Sequence, residues 1–225
     1  MQIPIQAALF LGIIPALLIM YISLKGYDGY YKDKSIFLTF IIGIVFGVIA
    51  AVIRLRINAE PFIISFLVLY AFLDQLFKTI ILNIGRFHLN KETVIYGLSL
   101  GLGFGSSFTP FFIIIESMSD VSNAFYLSLI TIASIGFILF HAATGAYIGF
   151  GIYSGKLFRF LLIAVLLQIP FNALSDLIFF RSYFPYVQIS LLIYGLIFFI
   201  YVIIWVVPEI KKDKKRKKGV KKNAG

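Results

Sequence analysis

The sequence predicts an all-α integral membrane protein, a bundle of about seven transmembrane helices with its N-terminus outside and its C-terminus in the cytoplasm. Three observations carry this. Of 225 residues 60% are hydrophobic and only 13% charged, where a soluble domain carries about 25% charged residues. The apolar residues come in continuous runs instead of period-two alternation, which argues against strands. Lysine and arginine are unevenly divided between alternate loops, which sets the orientation.

A span takes roughly 20 apolar residues, and the chain, with a mean hydropathy of +0.98, offers seven such runs. The first, at about 3–24, lacks a basic leading region and a small-residue cleavage site. It is therefore expected to stay as an anchor and not to be removed as a signal peptide. A charged turn, "KGYDGYYKDK", leads into the second run at 35–53. The third, 61–83, carries "FLDQLFK", three polar side chains inside an otherwise apolar stretch. The fourth, 93–116, has Gly97, Gly101 and Gly105 on one ridge, and the fifth, 123–153, has Gly145 and Gly149. Small residues at such spacing let helix backbones approach closely. The fifth run is too long for a straight span, so it is expected to tilt or to extend past the membrane. The sixth, 157–180, contains Pro170, and the seventh covers 186–207. Residues 1–208 thus form the membrane domain and 209–225 a basic cytoplasmic tail.

With seven spans and the tail inside, sixteen of the 20 basic residues fall on the cytoplasmic side. Only Arg54, Arg56 and Arg181 fall outside, and Lys78 lies in the membrane. That asymmetry is the positive-inside pattern. The tail "KKDKKRKKGVKKN" supplies most of the net charge of +10. It reads as a topology anchor resting on anionic lipid. Nucleic acid is not an expected partner, because the run lacks interleaved aromatics and any nucleic-acid fold. Nucleotide is not expected either: "GLGFG" lies mid-span, follows no strand and has no Walker lysine. The absence of cysteine excludes disulfides and thiolate chemistry.

Polar side chains inside a bilayer face the bundle interior, find partners and often mark a functional site. Asp74, Gln75 and Lys78 stand on the third run, and the i,i+4 spacing lets Asp74 and Lys78 pair. Ser106, Ser107 and Thr109 stand beside Pro110 on the fourth. His141 and Thr144 stand on the fifth. Gln168, Asn172 and Asp176 form an i, i+4, i+8 stripe on the sixth. At about 1.5 Å per residue over a core of roughly 30 Å, Asp74, His141 and Gln168 fall at similar depth, between the midplane and the cytoplasmic face. One shared polar chamber is expected. The same residues also suit an intramembrane ion pair and interhelical hydrogen bonds with no further role.

The order of these segments resembles the PrsW family of intramembrane proteases, relatives of the CAAX-protease and bacteriocin-processing membrane proteins. "PALLIMYISLKGYDGYYKDKSIFLTFIIG" is similar to the family's first two spans. The family's EExxK motif falls on "DQLFK", placing Asp74 and Gln75 at its glutamates and keeping Lys78. Its "YG…GLGFA" segment is similar to "YGLSLGLGFG", and its first histidine segment to "FHAATGAYIGFG" with His141 in place. Its "HxxxN" falls on "QIPFN", Gln168 to Asn172. The likeness covers roughly residues 12–175. The departures lie on the chemistry: one glutamate becomes Asp74, the other Gln75, the second histidine becomes Gln168, and the acidic–Asn pair falls near Phe108 and Thr109.

The resemblance implies water activation by a metal or by a general base. A zinc site takes three protein ligands, and only Asp74 and His141 remain, so no cofactor is expected and a divalent metal is poorly supported. General-base chemistry would use Asp74 or His141, with Asn172, Gln168 or Lys78 donating hydrogen bonds to the oxyanion. Three functions stay open. One is a PrsW-like protein with a degenerate site that binds transmembrane segments without cutting them. The second is an active variant peptidase, and the third a transporter or ion path through the same chamber. The resemblance places the protein in a prokaryotic plasma membrane, among membrane lipids.

Overall fold

The computed structural model describes residues 5–57, 64–85, 87, 90–110, 124–177 and 185–211. Among them the protein is all-α. Apolar runs in a bilayer must satisfy their backbone polar groups internally, and a helix does so within one segment. The helices are α1 (Ile5–Leu24), α2 (Asp33–Ile57), α3 (Ile64–Leu82), α4 (Thr93–Ser106), α5 (Ala124–Tyr153), α6 (Leu157–Asp176) and α7 (Tyr186–Tyr201). A π-helical turn, Val202–Val206, continues α7.

Among the described residues five stretches of helix are long and apolar enough to cross a membrane: 33–54, 64–82, 128–153, 157–176 and 186–211. The apolar part of α1, Phe10–Leu24, is shorter, and the described part of the fourth run ends at Pro110. The rest of that run, most of the basic tail and Arg181 lie outside the described residues. α2 continues past the expected end at 53, which brings Arg54 into the helix and out of the loop in which the sequence reading places it.

Every residue of α4 is buried, and its glycines explain how. Gly97 faces the backbone of Gly145, Gly101 that of His141, and Gly105 that of Ile138, so this edge lies directly against α5. Gly103 faces the backbone of Phe40 on α2, and Gly43 and Gly47 of α2 return the contact to Leu100 and Phe104. With α4 clamped between α2 and α5, the centre is closed by rings. Phe140 and Phe171 stack at 4.2 Å, and Phe137 meets Phe171 edge-on at 4.8 Å. The outside is equally apolar. Phe158 is 79% exposed, and Ile22, Ile64 and Tyr186 are also largely exposed. Large apolar residues presented outward on several helices suit a lipid environment.

Candidate functional site

The polar residues of α3, α5 and α6 meet in one buried cluster. Asp74, Gln75, Lys78, His141, Thr144, Gln168 and Asn172 are each 1% exposed or less. In hydrocarbon such groups are costly unless bonded, and their bonds form a chain with a single sense. Lys78 Nζ donates to Gln75 Oε1 at 3.2 Å, and Gln75 Nε2 donates to Gln168 Oε1 at 2.6 Å. Gln168 Nε2 in turn donates to Asp74 Oδ2 at 3.4 Å and to Asn172 Oδ1 at 3.0 Å. Two amides, one from α3 and one from α6, therefore stand between the ammonium and the carboxylate.

The expected direct pair of Asp74 with Lys78 does not form. Asp74 is paired instead with Arg54, whose Nη2 lies 2.6 Å from Oδ2. The same nitrogen donates to Asn172 Oδ1 at 3.3 Å. Asn172 Nδ2 donates to the Leu67 carbonyl, 3.1 Å away, and so ties α6 to α3. The reason is reach. Asp74 is short and accepts what arrives at its own level, while the long arginine side chain extends inward from the last turns of α2. Its guanidinium packs between Tyr70, 5.1 Å from the ring centroid, and Phe108, 5.3 Å away. Aromatic faces of this kind favour a cation, most of all where water is scarce.

Lys78 is turned toward α5. Besides Gln75 it contacts Thr144 Oγ1 at 2.7 Å and His141 Nδ1 at 2.9 Å. Three neutral acceptors thus use its three donors, and Phe104 lies under Nζ with its centroid 5.0 Å away. His141 is stacked on Phe108, with centroids 5.3 Å apart and planes 8° from parallel. Its Nε2 is buried without a hydrogen-bond partner among the described residues.

α4 contributes no polar side chain to this cluster, contrary to the sequence reading. Ser106 donates to the Gly103 carbonyl and Ser107 to the carbonyls of Ile44 and Gly103, so both face backbone. Thr109 Oγ1 has no partner among the described residues and lies next to Gly12 of α1. Asp176 is the last residue of α6, two turns beyond Gln168. The residue that sequence reasoning missed is Arg54. Its signal was weak: "AAVIRLRI" keeps an apolar rhythm around the arginine, which allows the helix to continue through it.

The donor set does not fit a divalent metal. Asp74 is held by a guanidinium and His141 Nδ1 faces an ammonium. No group of three His, Cys, Asp or Glu residues comes together among the described residues.

No family model, no curated protein and no solved structure matches the chain.

Proposed function

We propose that this apolar, helical chain, several of whose helices are long and apolar enough to span a bilayer, is a PrsW-like, multi-pass protein of a prokaryotic plasma membrane, N-terminus outside, whose polar chamber binds a transmembrane segment of a partner without cleaving it. One observation supports this above the rest: the carboxylate at the position of a family glutamate is ion-paired to Arg54 at 2.6 Å. A general base needs an unprotonated group free to take a proton from water. Here the carboxylate is held by a guanidinium, and the neighbouring residues, Gln75 and Gln168, are amides that cannot act as bases.

The test is hydrolysis of a fluorescently labelled transmembrane peptide in proteoliposomes, run beside a binding measurement on the same peptides by energy transfer. The wild type should bind without cutting. The triple variant D74E/Q75E/Q168H, which returns the resembled side chains, should gain measurable cleavage. Cleavage by the wild type that disappears in Asp74→Asn and His141→Gln would establish the active peptidase instead. Solute or proton uptake without peptide binding would establish a transport path.

A further inference from the structure

A cavity of about 340 Å³ opens between the α5–α6 turn and the end of α7, and none of the residues of the polar cluster lines it. Its floor is aromatic. The Tyr147 ring lies 4.6 Å from that of Phe160, and Phe150 meets Phe160 edge-on at 5.3 Å. This floor is tight because Gly151 brings the α5 backbone directly against Phe160. The rim is charged: Lys156 and Arg159 line it, against a single carboxylate, Glu209. Gly155, with φ of 68°, makes the turn that presents Lys156. Neither Lys156 nor Arg159 is in an ion pair among the described residues.

Two further features fix where this cavity lies. Its outer wall is Tyr201 and Trp205, and Trp205 is 69% exposed. Tryptophan and tyrosine concentrate at the headgroup level of a bilayer. Past them the bundle shows Phe158, Leu162 and Ile204, large apolar side chains open to the outside. The same end of the bundle carries Lys211, whose Nζ lies 3.9 Å over the Tyr27 ring in the α1–α2 turn. Trp205 and Val206 belong to the π-turn, closed by the Val207 N–H donating to Val202 O at 2.9 Å. Such turns recur at functional sites, where the extra residue re-aims side chains.

We infer that this cavity is a binding site for the headgroup of an anionic phospholipid of the surrounding leaflet. Lys156 and Arg159 would take the phosphate, Arg159 being able to do so with two parallel N–H donors. The acyl chains would run down the exposed apolar faces of α6 and the π-turn. The volume is of the size that holds a small ligand group, roughly 300 Å³ and above. Binding of this kind is distinct from diffuse attraction to a basic segment, which needs no cavity and no ring wall.

The chain provides its own reporter, because Trp205 is its single tryptophan. Full-length protein is reconstituted with phosphatidylglycerol or phosphatidylcholine brominated on the acyl chains, and fluorescence quenching is followed against mole fraction. Brominated phosphatidylglycerol should quench at a mole fraction about tenfold lower than brominated phosphatidylcholine. K156Q/R159Q should abolish that difference with the basic tail intact, and K156R/R159K should keep it. Millimolar inorganic phosphate should not reverse the selective quenching. Equal quenching by the two lipids in the wild type, or undiminished selectivity in K156Q/R159Q, would overturn the proposal. Reversal by inorganic phosphate would also overturn it, since the site would then take a free anion.

Discussion

Arg54 and Asp74, on different helices, meet at 2.6 Å inside the bundle with side chains only 12% and 2% exposed. The ion pair therefore fastens the end of α2 to the middle of α3, and Asn172 adds α6 to the same joint. Lys78, one turn along from Asp74, is left to neutral partners on α3 and α5. Among the described residues the cluster holds two basic side chains for one carboxylate, with Gln75 and Gln168 spreading the interaction between them.

Removing one partner of the pair should cost far more than removing both. A lone buried charge is destabilised by about 3–5 kcal/mol, while an apolar replacement of both partners is often near neutral. Asp74→Asn should therefore lower the unfolding temperature in detergent, and Asp74→Asn with Arg54→Leu should recover most of the loss. Asp74→Asn with Lys78→Met should not recover it. Equal coupling in both double-mutant cycles would show that the two cations share the carboxylate.

His141 should be held in one neutral tautomer. With Nζ of Lys78 donating to Nδ1 at 2.9 Å, the ring proton belongs on Nε2, which points among phenylalanine rings without a hydrogen-bond partner. The chain has two histidines, so His88→Gln leaves one imidazole to observe by nitrogen NMR. Two well-separated ring shifts are expected, with the protonated nitrogen assigned to Nε2. Lys78→Met should collapse or invert that pattern. A Nδ1–H tautomer in the parent would mean that Lys78 does not donate to the ring.

Much of this arrangement was legible in the sequence, and the misses have one cause. Helix class and approximate positions follow from long apolar runs, because a bilayer admits few other backbones. The glycine ridge on α4 was readable too, since Gly97, Gly101 and Gly105 are spaced to face one neighbour. The partners of Asp74 were not readable from spacing. An i,i+4 rule compares residues on one helix, whereas Asp74 is satisfied by Arg54 from α2 and Gln168 from α6. Ser106 and Ser107 mislead for a related reason: a hydroxyl mid-span can return to its own helix carbonyl, as Ser106 does to Gly103, and then needs no polar chamber at all.

Close approach of α4 and α5 should make Gly101 the least tolerant glycine for the site. A methyl group there would meet the His141 carbonyl, and at Gly97 it would meet Gly145. Overpacking of this kind typically costs about 1–3 kcal/mol. Gly101→Ala should lower the unfolding temperature and also disturb the His141 nitrogen shifts. Gly97→Ala should lower it with a smaller effect on those shifts. Gly85→Ala should do neither, since nothing lies within 4 Å of the added atom.

The strongest test of the amide relay exchanges its two middle members. Gln75 Nε2 donates to Gln168 Oε1 at 2.6 Å, while Gln168 Nε2 is committed to Asp74 and Asn172. Gln75→Glu removes the donor and sets a carboxylate oxygen against the Gln168 oxygen, with Lys78 on its other side. Gln168 could turn its amide to donate, but Asp74 and Asn172 would then lose theirs. The single substitution should therefore destabilise the protein by about 1–3 kcal/mol, the cost of leaving buried polar groups unpaired. Gln75→Glu with Gln168→His should recover most of this, because an imidazolium can donate to the new carboxylate through one nitrogen and keep a donor toward Asp74 on the other. Thermal unfolding of the four proteins in one detergent gives the coupling directly. Additive losses would show that the two amides are not bonded to each other as described.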